Sequence, residues 1–342
     1  METKLISHPT SESFAEAAGI IHGGGLVAFP TETVYGLGGN ALCADAAKKI
    51  YAAKGRPSDN PLIIHLPSAA CAEDYCETNP LYYRLASAFT PGPLTMILKK
   101  KSCIPDEVTG GLDTVAVRIP SDPIAHEFLA ACGVPIAAPS ANLSGKPSPT
   151  TADHVMRDLG GRIPLILDGG SCEIGLESTI VKIDDGNILL LRPGAITPEM
   201  LREVCPELGF DDKSMRPLAE GETPLAPGMK YRHYAPAAKL ILLRGDREQI
   251  LAYMKERSDD PTVGFLCDDR DISDIAPSDR TFLLTEDKDE QKMAARLFAA
   301  LREIDDHPEI LTVYAALPQS EGIGLAVYNR LMKAAGFTVI SL

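Results

Sequence analysis

The stretch Lys54-Gly55-Arg56-Pro57-Ser58-Asp59-Asn60-Pro61-Leu62-Ile63-Ile64-His65-Leu66 decides how this chain reads. Before it, Ala44 to Ala53 places apolar Ala47, Ile50 and Tyr51 at three- and four-residue steps, the period of a helix with one buried face. After its Pro- and Gly-punctuated loop, residues 61–66 read as a strand. The unit is helix, cationic loop, strand, and the same alternation extends outward over residues 11–200. Phe14 to Ile21 reads as a helix and Gly25 to Pro30 as a buried strand. Further strands are expected at 94–99, 114–119, 134–138, 164–168, 178–183 and 188–191, and helices near 80–89, 123–131, 151–159 and 197–205. Such interleaving predicts an α/β domain around a largely buried sheet. The mixture of short and long connections favours a mixed sheet over a regular doubly wound one.

From Leu208 to Pro236 the pattern breaks, with Pro217, Pro224, Pro227 and Pro236 marking a linker. Its end, Lys230-Tyr231-Arg232-His233-Tyr234, packs cations and aromatics more densely than a spacer needs and reads as a loop that docks on something. Residues 239–342 start a second alternating set, with strands at 240–243, 262–266, 311–315 and 337–341. Met293, Leu297, Leu301 and Ile304 form one helical stripe. This is a small Rossmann-like α/β unit. Its Gly322-Ile323-Gly324 is too short for a dinucleotide fingerprint, which needs a third Gly and a preceding strand.

At 342 residues two domains are the default, and 45% apolar with 23% charged residues describes an ordinary globular chain. The net charge is −14, with 20 basic against 28 acidic residues in 1–238 and 13 against 19 in 239–342. That balance argues against broad electrostatic binding to nucleic acid, while leaving room for a local basic pocket. No apolar run approaches the ~20 residues of a membrane span, and Met1 to Pro9 has no basic segment followed by an apolar core. Eight cysteines are scattered singly without Cys-x-x-Cys, as expected of buried thiols in a reducing cytoplasm.

Ala137-Ala138-Pro139-Ser140-Ala141-Asn142 ends the strand-like Val134-Pro135-Ile136. Together with Lys54 and Arg56 it offers two cations, a hydroxyl and an amide, a set able to hold a polyphosphate. The bland alternative is a surface cation pair and a polar turn. Thr31-Glu32-Thr33-Val34-Tyr35-Gly36-Leu37-Gly38 reads either as a strand-end turn or as a hydroxyl-bearing ligand loop. His65, in an apolar strand, is either a satisfied core histidine or a ligand contact. Arg118 alternates with Val115, Val117 and Ile119, so it needs an anionic partner; Asp113 is the structural candidate and a substrate carboxylate the functional one. Ser178-Thr179 and Arg192-Pro193-Gly194 add hydroxyls and a cation. Gly-x-Ser-x-Gly, His-Glu-x-x-His and the Walker loop are all missing from the sequence. The inventory suits orientation of an anionic substrate, with catalysis by positioning and charge stabilisation.

The run from Gly25 to Arg192 resembles the YrdC-type domain, with Lys54, Arg56, Ser140 and Asn142 as its Lys-x-Arg and Ser-x-Asn tetrad. Phe29-Pro-Thr-Glu-Thr-Val-Tyr-Gly-Leu37, Pro61-Leu-Ile-Ile-His65, Pro91-Gly-Pro-Leu-Thr95, Val117-Arg-Ile-Pro120 and Pro139-Ser-Ala-Asn-Leu-Ser-Gly145 carry the likeness. The linker and residues 239–342 resemble the long, two-domain form of the threonylcarbamoyl-AMP synthase family. The resemblance implies a YrdC-like twisted mixed sheet with flanking helices at 1–207, a linker or lid at 208–238, and the Rossmann-like α/β domain at 239–342. It implies a cytoplasmic nucleotidyltransferase that joins L-threonine, bicarbonate and ATP into threonylcarbamoyl-adenylate and diphosphate. Mg²⁺ would arrive with ATP, with no organic cofactor and no metal ligand from the protein.

By the same resemblance the tetrad is catalytic, and Thr33, His65, Arg118, Ala138 and Ser178 hold threonine. Arg56, Asn60, Thr114, Ser140, Ser148 and Arg192 hold ATP, helped by Tyr231 and Tyr234. Lys230, Tyr231, Arg232, His233 and Tyr234 form a lid. The product would pass to tRNA-modifying transferase proteins for adenosine modification beside the anticodon, with weak or no direct tRNA binding by this chain. The competing expectations are a YrdC-type nucleic-acid module and a carbamoyl-adenylate enzyme of hydrogenase maturation. The acidic balance weighs against the first. The lack of acylphosphatase-like and zinc-finger segments weighs against the second.

Overall fold

Three helices of the N-terminal half begin alike. Asn79-Pro80, Asp122-Pro123 and Thr197-Pro198 each set a capping side chain before a proline at the start of the helix, where no N–H is needed. The caps accept from the N–H groups of Tyr82, Ala125 and Met200 and fix helices Pro80–Phe89, Pro123–Cys132 and Pro198–Val204. Helix Ala44–Lys54 ends instead on Gly55, whose φ of 62° is left-handed. The N–H groups of Gly55 and Arg56 return to the carbonyls of Ala52 and Tyr51. Lys54 is therefore the last helical residue, and Arg56 leaves on a new heading.

In this computed structural model, residues 1–184, 186–211, 233–275, 278–286 and 289–342 are described. The strands of the N-terminal half are β1 (Lys4–Ser7), β2 (Val27–Phe29), β3 (Gly36–Asn40), β4 (Ile63–His65), β5 (Leu94–Lys99) and β6 (Thr114–Arg118). They continue with β7 (Ile136–Ala138), β8 (Leu165–Asp168), β9 (Thr179–Asp184), β10 (Asn187–Arg192) and β11 (Leu208–Phe210). They form one sheet in the order β1-β8-β2-β3-β7-β4-β6-β5-β9-β10-β11, with parallel pairs such as β4·β6 beside antiparallel ones such as β5·β6. This is the mixed sheet that the connection lengths suggested.

Side-chain parity sorts the central strands. Ile64, Met96, Val115, Val117, Ala137 and Val181 point into the main core, under the helices that supply Ile50 and Leu85. On the opposite face Ile63, Ile97, Ala116, Ile180 and Leu191 form a small cluster, while Ile136 and Ala138 of β7 join a separate one with Phe29 and Phe128. The polar residues of that face form the site described below.

Three of these strands were not foreseen. β1 is a short edge strand. β3 occupies the Gly-rich stretch expected to be a turn, and β11 lies inside the stretch expected to be linker, pairing parallel with β10. Glycine at position 38 is a packing requirement, since a Cβ there would sit 2.7 Å from Cγ2 of Ile136.

Contacts divide the described residues into two units. The first holds 1–144, 148–173 and 177–211, and the second holds 145–147, 174–176 and 233–342. The second unit is a parallel sheet of β12 (Lys239–Arg244), β13 (Val263–Asp268), β14 (Thr281–Thr285), β15 (Thr312–Ala316) and β16 (Val339–Ser341), in the order β14-β13-β15-β12-β16. The Rossmann-like expectation holds, with β14 as an additional strand. Helix Glu290–Asp305 carries the stripe read from Met293 to Ile304, and a further helix spans Gly324–Ala334.

Of the expected lid, Lys230, Tyr231 and Arg232 lie outside the described residues. Tyr234 is 4% exposed in the second unit, its ring 5.1 Å from that of Phe298 and 5.5 Å from that of His233. Tyr234→Ala is expected to cost the second unit about 3–5 kcal/mol, the usual loss for deleting a buried aromatic ring, read as an earlier thermal transition.

Candidate active site

Lys54 joins the Lys54–Leu66 and Ala137–Asn142 stretches, reaching Ser140 across 86 residues of sequence. It is 2% exposed, and its Nζ donates to the carbonyls of Ser140 and Asn142, both at 2.5 Å, with Asn142 Oδ1 at 3.3 Å. Ser140 Oγ donates to Asn142 Oδ1 at 2.5 Å, and the Ser144 N–H returns to the Lys54 carbonyl. The ammonium thus fixes the loop that follows β7. Arg56, half-buried, folds over its own loop, with Nη2 3.3 Å from the Asn60 carbonyl and 3.2 Å from that of Pro61. Asn60 is 1% exposed, and its Oδ1 has no hydrogen-bond partner.

The Thr31–Gly38 stretch runs alongside this loop. Ala141 N–H donates to the Tyr35 carbonyl, Leu37 N–H to that of Pro139, and Gly36 bridges Ser140. Thr31 and Thr33 share a hydrogen bond of 2.9 Å, and Thr31 Oγ1 also donates to the Val34 carbonyl. Of the two, Thr31 is the one within reach of Arg118, at 3.4 Å from Nη2.

The strand register collects the proposed threonine residues. His65 pairs with Arg118, Arg118 pairs with Thr95, and Ala138 pairs with Ile63, so their side chains share the sheet face opposite the main core. Ser178 enters through its 2.8 Å bond with Thr95 Oγ1. Arg192 Nε donates to the Ser178 carbonyl at 3.0 Å and Nη2 to its Oγ at 3.2 Å. Thr114 is on the same strand face as Arg118 but four residues away, about 13 Å along the strand. Ser148, fully buried, donates to Glu177 Oε1 at 2.6 Å.

Arg118 is 4% exposed, and its ion-pair partner is Glu32, with Nη2 2.9 Å from Oε1. The expectation of Asp113 is corrected. Asp113 is exposed and lies five residues back along the chain, roughly 17 Å from Arg118 in extended geometry. The Glu32 contact is at ion-pair distance but out of line for a hydrogen bond, and Arg118 Nε has no hydrogen-bond partner. Sequence reading missed Glu32, Thr95 and Glu177 as members of this group. Glu32 and Thr95 sit inside quoted motifs, and a polar residue at a core-spaced strand position was the available signal for Thr95.

His65 donates from Nδ1 to the Ile63 carbonyl, and its ring meets that of Phe29 edge-on at 5.8 Å. Burial, reinforced by the Arg118 charge, pushes its pKa from 6.5 down to about 3. A histidine held neutral binds fewer protons folded than unfolded, so stability falls as pH drops from 6.5 towards 3, by up to about 1.4 kcal/mol per pH unit. Urea unfolding across that window is expected to show a flatter pH dependence for His65→Gln than for the parent chain.

The fold and site define an α/β enzyme with buried cations and hydroxyls gathered on one face of a mixed sheet, beside a loop pinned by a buried lysine. Residues 19–194 match the Sua5_yciO_yrdC family model, described as telomere recombination. Residues 196–336 match the C-terminal domain model of threonylcarbamoyl-AMP synthase. The threonylcarbamoyl-AMP synthase of Pyrococcus abyssi is 44% identical, over 95% of each chain. That of Bacillus subtilis is 45% identical, over 95% of this chain and 94% of its own. The crystal structure of P. abyssi Sua5 complexed with L-threonine superposes with a TM-score of 0.92 at 41% identity, covering 99% of this chain and all of the other. The chain belongs to the threonylcarbamoyl-AMP synthase family. No helix among the described residues is long and apolar enough to cross a membrane.

Proposed function

We propose that this chain makes threonylcarbamoyl-adenylate and diphosphate from L-threonine, bicarbonate and ATP, holding the amino acid around Arg118 and the nucleotide along the Lys54–Asn60 and Ser140–Ser148 loops. The observation that carries the reading is Arg118. It is a buried guanidinium with an unpartnered Nε, on the face it shares with His65 and, through Thr95, with Ser178. A carboxylate-bearing substrate supplies the acceptor that Nε lacks.

The chemistry needs no strong side-chain nucleophile. Threonine nitrogen and bicarbonate condense with loss of water to an N-carboxylate. One of its oxygens attacks the α-phosphorus of ATP, and the bond to the β-phosphate oxygen breaks as diphosphate leaves. Arg56 and Arg192 offset phosphate charge, and Lys54 keeps Ser140 and Asn142 in place. Mg²⁺ entering with ATP would screen its phosphates. The adenylate would feed tRNA-modifying transferases. The net charge of −14 supports weak or no tRNA binding by this chain itself.

Diphosphate release tests the reading through substrate choice. L-Serine, one methyl short, is expected to be used about 10–100-fold less well than L-threonine. L-Valine, which leaves hydroxyl partners unpaired, should fare worse still. Equal turnover of valine and threonine would show that no hydroxyl is read here.

A further inference from the structure

Glu32 is a buried acid that this reaction scheme leaves without a role. It is 6% exposed, and neither carboxylate oxygen accepts a hydrogen bond. Its ion-pair partner is Arg118, whose Nη2 lies 2.9 Å from Oε1. Glu32 also lines a cavity of about 240 Å³ at the ends of β2, β6 and β8, together with Thr31, Asp122, Cys172 and Glu173. Three carboxylates and no lysine or arginine line that cavity. Burial raises the Asp122 carboxyl pKa, and the neighbouring Glu32 charge raises it further. Asp122 has at least the Ala125 N–H as donor, whereas Glu32 has none.

A buried carboxylate with vacant acceptor positions is costly unless a cation completes it. Arg118, at ion-pair distance from Glu32 though not itself in the cavity lining, has a donor still vacant in Nε. An anion acceptor and a cation acceptor therefore lie side by side, as the carboxylate and ammonium of an α-amino acid do. Resting on the function proposed above, we infer that Glu32 binds the α-ammonium of the incoming amino acid while Arg118 binds its carboxylate. Before that nitrogen meets bicarbonate the ammonium gives up one proton, and Glu32, whose oxygens accept no other hydrogen bond, takes it while holding the nitrogen in place.

The alternative role for Glu32 is to position Arg118 only. Titration calorimetry on the full chain separates the two, using L-threonine and β-hydroxybutyrate, which is threonine without its ammonium. Glu32→Gln is expected to weaken threonine about 100-fold while leaving β-hydroxybutyrate unchanged or improved. If Glu32 only positions Arg118, both ligands lose affinity equally, and that result would overturn the assignment. Glu32→Asp, which keeps the buried charge, guards against misfolding. It should weaken threonine about tenfold with β-hydroxybutyrate unaffected, and equal losses in that variant would likewise overturn the assignment. A parent chain that binds no threonine sinks the functional reading and this inference together. Threonine binding by the parent with equal losses in the variants removes only the Glu32 assignment.

Discussion

Arg118→Met is expected to lower stability by about 3–5 kcal/mol, because it leaves Glu32 buried without its counter-charge, and to weaken threonine use by more than about 100-fold. The two effects separate in a double variant. Adding Glu32→Gln removes the stranded charge, so much of the stability should return while threonine use stays lost. Melting curves and threonine-dependent turnover on the same preparations check both halves. If the double variant recovers turnover together with stability, Arg118 supports the fold and does not hold the substrate. The prediction follows from geometry. The pair is 4% and 6% exposed, so solvent cannot replace either partner.

Lys54→Met should be nearly as damaging, by a different route. The Ser140 and Asn142 carbonyls lose a charged donor within a buried spot, a loss of about 1.5–3 kcal/mol for each such bond. The loop that presents Ser140 and Asn142 is then free to move, and turnover is expected to fall about 10²–10³-fold, as when a transition-state donor is removed. Lys54→Arg should not rescue it. The planar guanidinium is larger and cannot aim its donors at the same acceptors as an ammonium does. Parent-like turnover in Lys54→Arg would mean that the charge alone matters and that the observed loop contacts do not.

These two residues also show what the sequence made legible. Helices were placed within a residue or two where the signal is local. Asn79-Pro80, Asp122-Pro123 and Thr197-Pro198 each carry their own start, and Gly55 carries a stop. The central strands were visible through their apolar runs. β3 was not, because Gly-Leu-Gly-Gly-Asn has weak strand preference and forms only by pairing with β2 and β7. The edge strands β1 and β11 are likewise held by partners distant in sequence or too short to signal themselves.

The site divides in the same way. Residue types and motifs marked Lys54, Ser140 and Asn142, but the bonds among them appear only on folding. Strand parity put Arg118 opposite Val115 and Val117 in a strand read as buried, and an anionic partner was expected for it. Proximity in sequence pointed to Asp113, whereas the fold supplied Glu32 from 86 residues away. The aromatic run before residue 236 was read as a lid, and Tyr234 is found buried against Phe298 in the second unit. The sequence shows that aromatics are concentrated there, but not what they pack on.

The most direct test of the central claim follows carbon. The full chain is incubated with radiolabelled bicarbonate, L-threonine, ATP and Mg²⁺, and the products are separated at once by chromatography. The predicted result is label in a species with the mobility of threonylcarbamoyl-adenylate, dependent on threonine and matched one for one by diphosphate. Diphosphate or ADP formed without label in an adenylate, or label incorporated equally without threonine, would contradict the account.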